Sequence, residues 1–269
     1  MVSRWFRPDL LAGKVALVTG GGTGIGRAIA RDFASSGASV SIASRRAEHL
    51  EPAVDEIRTA GARALAVVGD VRVPADVDAM VGRTMDAFGR LDILVNGAAG
   101  NFFARAEQLS PNGFGTVVDI DLKGTFNVSR AAFPHLRTEG GVILNISATL
   151  QLLGTVGQAH AASAKAGIDA LTRTLAVEWG PSRVRVNGVA PGPVEGTEGV
   201  RRLVSRENRR TIETDCPLGR LASVDEVVDA ALFLCSDASA FITGVTLVVD
   251  GGLWLRPGHV LGGGPPEGM

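Results

Sequence analysis

The amino-acid sequence predicts an α/β protein, one domain built on a doubly wound parallel sheet of seven strands. Short apolar runs recur along the chain, separated by longer stretches with helical periodicity. Such alternation imposes right-handed crossovers and a sheet covered by helices on both faces. No internal repeat, and no linker rich in Pro, Gly or Ser, divides the 269 residues. The 45% hydrophobic content supplies a sizeable core.

Seven runs are predicted as strands: Lys14 to Thr19 (KVALVT), Ser39 to Ala43 (SVSIA), Ala64 to Val68 (ALAVV), Leu91 to Val95 (LDILV), Gly141 to Ile146 (GVILNI), Val184 to Val189 (VRVNGV) and Thr246 to Val249 (TLVV). Residues 1–12 precede them as an N-terminal extension. Residues 257–269, which include Gly262 to Met269 (GGGPPEGM), read as a mobile tail.

Charge removes several function classes. With 27 basic against 28 acidic residues and a formal net charge of -1, no strong electrostatic case exists for nucleic acid or an anionic membrane as partner. Arg4, Arg7 and Asp9 interrupt the apolar start, and no run of about eighteen apolar residues follows. Cys216 and Cys235 belong to no metal-ligand spacing. These features predict a cytoplasmic protein in a reducing compartment, without a metal.

The first strand runs into Thr19-Gly20-Gly21-Gly22-Thr23-Gly24-Ile25-Gly26, and a helical pattern follows through Arg27, Ala28, Ile29 and Phe33. Glycines there let the backbone approach a pyrophosphate and present N–H groups at a helix N-terminus, whose dipole favours an anion. The turn predicts a Rossmann-like nucleotide site at Gly20, Gly22, Thr23, Gly24 and Ile25. After the second strand stand Ser44, Arg45 and Arg46, where an NAD enzyme would place an acidic residue on the ribose 2′-hydroxyl. Two guanidinium groups suit a 2′-phosphate, so the expected cofactor is NADP(H).

Together with Asp70-Val71, Asn96-Gly97-Ala98-Ala99-Gly100, Lys165 and Pro191-Gly192, this turn resembles the classical short-chain dehydrogenase/reductases over roughly Gly13 to Gly252. The resemblance implies that Asp70 bonds the adenine amino group, with Val71 beside it. Asn96 to Ala98 would line the adenosine ribose and Lys165 would hold the nicotinamide ribose. The segment Pro191 to Thr197, including Gly192 and Val194, would close over the carboxamide.

The chain departs from the family where that family does its acid chemistry. It contains no tyrosine at all. The family's Tyr, four residues before the Lys, corresponds to Ala161; its Ser corresponds to Ala148, and its Asn, between the fourth and fifth strands, to Asp121. Either the protein is a catalytically silent NADP(H)-binding scaffold, or it transfers hydride without needing a phenol. At helical spacing Asp121 shares a stripe with Phe114, Val117, Val118, Thr125 and Val128, which points its carboxylate inward. A carboxylate so placed calls for a raised pKa, a bound water or an ion pair with Lys165; a purely structural bond to backbone near Gly124 is the alternative. Asp119 lies on another face and suits Lys123 at i+4.

One branch of the family carries this constellation. Phe6-x-Pro8-Asp9-Leu10-Leu11, Ala98-Ala99-Gly100-Asn101-Phe102, Asp119-Ile120-Asp121, Ser147-Ala148-Thr149-Leu150, His160-Ala161-x-Ser163-Ala164-Lys165 and Ala190-Pro191-Gly192-Pro193 closely resemble the peroxisomal 2,4-dienoyl-CoA reductases, from about Phe6 to Trp254. The mitochondrial reductases carry a tyrosine where Leu150 stands. The resemblance implies NADPH-dependent reduction of 2,4-dienoyl-CoA to 3-enoyl-CoA in β-oxidation of unsaturated fatty acids. Hydride adds at C5, charge spreads to the thioester oxygen, and a proton reaches Cα. Asp121 and Lys165 would position that proton donor, and Asn101, or less directly Thr149, would hydrogen-bond the thioester oxygen. A 2-enoyl-CoA reductase is the nearest alternative.

Acyl-CoA phosphates need cationic partners. Arg201, Arg202, Arg206, Arg209 and Arg210 follow the Pro191-Gly192 segment, and guanidinium pairs with phosphate bidentately. The resemblance singles out Arg202 and Arg72, with Phe102 and Ser110 along the acyl and pantetheine path. His160 is a donor to substrate or a wall residue; His49, His135 and His259 lie in no catalytic motif. The resemblance also implies a homotetramer, and apolar Trp254-Leu255 suits a subunit contact. Glu267-Gly268-Met269 departs from the Ser-Lys-Leu type of peroxisomal address.

Overall fold

A computed structural model describes residues 5–203 and 206–255. Seven strands form one sheet in the order β3-β2-β1-β4-β5-β6-β7, and every pairing is parallel. They are β1 (Val15–Thr19), β2 (Ser39–Ser44), β3 (Ala64–Val68), β4 (Ile93–Asn96), β5 (Gly141–Ile146), β6 (Val184–Pro191) and β7 (Thr246–Val249). The doubly wound sheet is the predicted one.

Five strand ends differ from prediction, two of them by a single residue at the start of β1 (Val15) and the end of β4 (Asn96). β6 runs to Pro191 because β7 pairs with it as far as Pro191↔Val249. β2 reaches Ser44, opposite Val68 of β3. β4 begins only at Ile93, since the buried Asp92 side chain accepts from the Val15 N–H at 2.8 Å and from Arg90 at 2.6–2.8 Å.

The helices are α1 (Gly24–Ser35), α2 (Ala47–Thr59), α3 (Pro74–Phe88), α4 (Pro111–Val118), α5 (Gly124–Leu136), α6 (Ala159–Trp179), α7 (Glu198–Leu203), α8 (Arg206–Asp215) and α9 (Val224–Cys235). Ile29 and Phe33 of α1, Leu50, Val54 and Ile57 of α2, and Val227 and Leu232 of α9 pack on one sheet face. Met80 and Val81 of α3, Val128 and Leu136 of α5, and Leu175 of α6 pack on the other. Burying each such side chain contributes about 1.5–3 kcal/mol. Residues 5–12 are more than an extension: Phe6 and Leu10 pack on the first cluster, and Leu11 is buried, its N–H bonded to Ser36 O at 2.8 Å. The predicted mobile tail falls outside the described residues, as does His259.

Register fixes the site's location. Thr19 lies opposite both Ala43 and Asn96, Asn96 opposite Asn145, and Asn145 opposite Gly188. The turns after β1, β2, β4, β5 and β6 therefore open on one edge. β1 lies between β2 and β4, where the winding reverses, and that switch point is where open α/β sheets bind ligands.

The turn after β1 has no room for a side chain at Gly20, Gly21, Gly22 or Gly26, and Gly26 and Gly20 are the tightest. A Cβ on Gly26 would stand 2.4 Å from Gly20 O, and one on Gly20, at φ +68°, would stand 2.5 Å from Gly97 O. Gly26→Ala must therefore push α1 away from the turn. We expect a lower melting temperature in thermal denaturation, from an overpacking cost of about 1–3 kcal/mol.

Candidate active site

Thr19 stitches the floor of the cleft together. Its Oγ1 donates to Val95 O at 3.3 Å and accepts from the N–H groups of Gly97 and Ala98 at 3.2 and 3.3 Å. Gly24 has φ +52° and nothing within 4 Å of the position a Cβ would take, so its backbone is open to a ligand. Thr23, at the N-cap of α1, is exposed and makes no side-chain capping bond. The first N–H groups of α1 are thus left for an anion. Gly22 packs against His49 O and Ile25 against the core.

At the end of β2, Ser44 Oγ donates to Arg46 O at 3.2 Å, turning the chain so that Arg45 and Arg46 are exposed. Neither enters an ion pair among the described residues. Glycines a Cβ would jam, an uncapped helix start and two unpaired guanidinium groups suit a phosphorylated dinucleotide.

Several expected contacts are redirected. Asp70 accepts from Arg72 Nη2 at 2.6 Å and from its Nε at 3.0 Å, and that pairing holds the Asp70 carboxyl below the usual carboxylate range. The two residues singled out for adenine and for CoA phosphate thus face each other. Val71 is buried, close enough to Gly124 that a Cβ there would clash with it. The Asn96 Nδ2 donates to Ser129 Oγ and Asn145 Oδ1, both at 2.9 Å, so the side chain ties β4 to β5 and α5. Its Oδ1 is buried without a partner among the described residues.

Lys165 and Asp121 meet in the interior. Helix α6 brings Lys165 Nζ to 2.9 Å from Ile146 O and 3.2 Å from Asp121 Oδ2; Asp121 Oδ1 accepts from the Gly100 N–H at 2.7 Å. The carboxylate is 1% exposed and the lysine 8%. Of the outcomes the sequence allowed, the ion pair is the one formed, with Gly100 as a second partner. Asp121 sits in a π-helical turn, Asp119–Lys123, which joins α4 to α5. Single π turns cluster at functional sites. The extra residue breaks the helical stripe expected across it: Val117, Thr125 and Val128 are buried, but Phe114 is 37% exposed. Asp119 pairs with Lys123 at 2.7 Å, as its spacing predicted.

Ala161 is 1% exposed and stands one helical turn before Lys165, where the family has its phenol. Asn101 directs a buried Oδ1 inward, without a partner among the described residues. Phe102 edges onto His160, with ring centroids 4.4 Å apart. Thr149 is buried where the chain leaves β5. Ser110 caps α4, its Oγ accepting from the Gly113 N–H at 3.0 Å.

Past β6, Gly192 N–H bonds Val249 O at 3.0 Å, Val194 is buried and bridges to Ala222, and Thr197 Oγ1 donates to Val194 O at 2.7 Å. Pro191 to Thr197 is thus a folded segment, Thr197 bonding within it and Glu195 pairing outside it with Arg209. Arg209 is removed from the phosphate candidates by Glu195 and Glu213, at 2.7 and 2.8 Å. Arg201 and Arg210 are exposed, whereas the side chains of Arg202 and Arg206 lie outside what is described. Sequence reasoning missed Gln158, whose Nε2 donates to Phe102 O at 3.2 Å, and the Ile146 carbonyl. Gln158 was discoverable as the polar residue before the Lys165 helix; a carbonyl carries no sequence signal.

A cleft of about 570 Å³ opens at the opposite edge of the sheet, between Lys14, Asp92, Glu139, Arg183 and Arg185. Asp92 is paired there with Arg90, and Arg185 donates to Leu234 O and Ser239 Oγ, so these two charges are already engaged. Burial pushes the Cys235 thiol up to about 12, which leaves it inert, and among the described residues no cluster of three His, Cys, Asp or Glu could hold a metal. No described helix is long and apolar enough to cross a membrane.

A glycine cradle at the switch point, followed by a lysine on the helix after β5, defines a nicotinamide-dependent oxidoreductase. The chain belongs to the short-chain dehydrogenase/reductase family. A family model described as enoyl-(acyl carrier protein) reductase matches residues 20–254. The chain is 47% identical over 266 residues to a peroxisomal 2,4-dienoyl-CoA reductase [(3E)-enoyl-CoA-producing] of Arabidopsis thaliana, covering 95% of this chain and 89% of the relative. It is 43% identical over 249 residues to a probable 2,4-dienoyl-CoA reductase [(2E)-enoyl-CoA-producing] of Bacillus subtilis, covering 91% and 98%. The crystal structure of a gluconate 5-dehydrogenase from Burkholderia cenocepacia, in complex with NADP and tartrate, superposes with a TM-score of 0.86 at 33% identity, covering 91% and 97%.

The ion pair can be tested through stability. Asp121→Ala leaves a buried ammonium with one carbonyl and an unmet Gly100 N–H, a loss of about 3–5 kcal/mol. Asp121→Asn retains an acceptor for Gly100, so we expect its denaturation midpoint to lie between those of wild type and Asp121→Ala.

Proposed function

We propose that this protein catalyses NADPH-dependent reduction of 2,4-dienoyl-CoA thioesters to 3-enoyl-CoA, in β-oxidation of unsaturated fatty acids. The Asp121–Lys165 pair carries the reading, because it stands in a cleft where alanines 148 and 161 replace the hydroxyls that act on ketones and alcohols. The reductase names of the relatives support it. The cradle residues and Lys165 would hold the dinucleotide, with Arg45 and Arg46 on its 2′-phosphate. When bound, NADPH supplies the hydride that C5 of the dienoyl group receives.

The remaining steps fall to this chain's own groups. Addition at C5 moves the electron pair through the conjugated system to the thioester oxygen. Asn101 donates to that oxygen, with Thr149 beside it, where a fixed donor stabilises developing charge. Asp121 and Lys165 hold a proton donor at Cα; the C–H bond formed there consumes the electron pair and restores the thioester carbonyl. Arg72, Phe102, Ser110 and Arg202 complete the proposed acyl-CoA path. Arg72 must leave Asp70 to do so, and the Ser110 hydroxyl must leave Gly113.

We further propose a homotetramer in the cytoplasm. Fully exposed Phe241, with Leu218, Leu247 and Leu255 exposed near the β7 edge, supports a covered face. Two free cysteines support a reducing compartment.

The test follows NADPH absorbance with 2,4-hexadienoyl-CoA and with 2-hexenoyl-CoA, and identifies the product by NMR. We expect oxidation with the dienoyl ester and a 3-enoyl product. Oxidation with 2-hexenoyl-CoA alone favours the enoyl reductase, and NADPH binding without oxidation by either substrate favours a silent scaffold. A 2-enoyl product moves protonation from Cα to Cγ. Asp121→Asn should lower turnover about 100-fold or more at nearly unchanged NADPH affinity. Replacing Arg45 and Arg46 by Ala should raise KM for NADPH at least tenfold while leaving KM for NADH within about twofold, since each charge-assisted pair is worth about 1.5–3 kcal/mol.

A further inference from the structure

His160 opens α6 five residues before Lys165 and is fully buried, yet neither ring nitrogen has a hydrogen-bond partner among the described residues. A neutral imidazole carries one donor and one acceptor, and leaving both unmet in the interior is costly. Burial keeps the ring below the ordinary imidazole range, opposed by an approach to the Phe102 carbonyl that falls short of full hydrogen-bond geometry and by the Asp121 charge. Satisfaction by protonation is therefore disfavoured.

The surroundings share this deficit. Gln158 donates Nε2 to Phe102 O but leaves its own Oε1 buried and unmet, and Asn101, the residue before Phe102, does the same with Oδ1. The loop between them is held on both sides of Asn101. Gly100 N–H is fixed on Asp121, Phe102 on Gln158 and His160, and Ala104 N–H on Gly157 O at 3.1 Å. A Cβ at Gly157 would meet the Phe103 ring at 2.4 Å, so the two segments are closely packed. Packing alone does not call for a histidine, because an apolar ring would fill the wall behind Phe102 without unmet groups. Hydrogen bonds at enzyme sites often align only once substrate is bound.

We propose that His160 is a positioning residue of the reaction, whose imidazole pairs with the Asn101 and Gln158 wall when an acyl thioester is seated, and so fixes the Asn101 amide on the thioester oxygen. The inference rests on the proposed dienoyl-CoA reading. No bond forms or breaks at His160; it sets where Asn101 points.

The test compares His160→Phe, which keeps a ring against Phe102, with His160→Asn, which restores a donor and an acceptor. His160→Phe should raise the melting temperature of the free protein by about 2 °C or more, because an unmet polar pair leaves the interior. It should also lower kcat for 2,4-hexadienoyl-CoA about tenfold at unchanged KM for NADPH. His160→Asn should recover part of kcat without the gain in stability. A lower melting temperature with unchanged kcat overturns the inference and makes His160 ordinary wall packing. Equal kcat losses in both variants also overturn it. If the wild type turns over no dienoyl ester, the proposed function fails, and the inference is decided by the melting shift that hexanoyl-CoA with NADP+ produces. A shift smaller in His160→Phe than in wild type upholds it, and an equal shift sinks it.

Discussion

The buried contact between Asp121 and Lys165 organises the carboxyl edge of this protein. A lone carboxylate at 1% exposure would be prohibitively costly, and so would a lone ammonium beside it. Each has its second partner in the main chain: Gly100 N–H for the acid and the Ile146 carbonyl for the base. Those groups belong to the turns after β4 and β5. One ion pair thus ties two strand ends to the continuous helix formed by α4, the π turn and α5, and to α6. The π turn at Asp119–Lys123 offers Asp121 to both the loop and the lysine.

That arrangement explains why losing two hydroxyls does not read as decay. Ala148 and Ala161 remove donors that would act on a substrate oxygen at the reacting carbon, yet the cradle, the lysine and a charged acid remain in place. When hydride is delivered far from the oxygen that gathers the charge, the site needs a fixed donor at that oxygen and a proton source at a carbon. Asn101 and the Asp121–Lys165 pair stand on adjoining segments, joined through Gly100.

The sheet was largely legible because apolar runs with turns between them have few other solutions. The strand ends were less so, since Asp92 delays β4 through a hydrogen bond 77 residues away in sequence. At the site, Asp121 and Lys165 were readable as a pair from their types and positions. Gly100 and Ile146 were not, because a backbone group acquires its role only through tertiary placement. Arg72 and Arg209 show the opposite limit. Both were sensible phosphate ligands by charge, but Asp70 and Glu195 take them first, and competition among surface charges is settled in three dimensions. The π turn is a third case: the 3.6 period finds Asp121 and Val117 facing inward but misplaces Phe114, because an added residue changes the helical phase across the turn.

The unmet polar atoms of Asn101, Gln158 and His160 gather around one loop at the wall of the cleft. Proteins satisfy the great majority of their buried polar groups, so several unmet ones on contiguous segments are better explained by function than by chance. The two cores are built on apolar contacts, with Asn96, Asn145 and Thr172 linked through hydrogen bonds between the strands and α6, and their unmet atoms, Ser36 Oγ, Ser41 Oγ and Asn96 Oδ1, are not grouped around one loop. Rigidity beneath the sheet's edge is what lets the edge itself keep polar groups waiting. A site of this kind has stability to recover wherever its polarity is removed, and loses at the same time the contacts that polarity was kept to make.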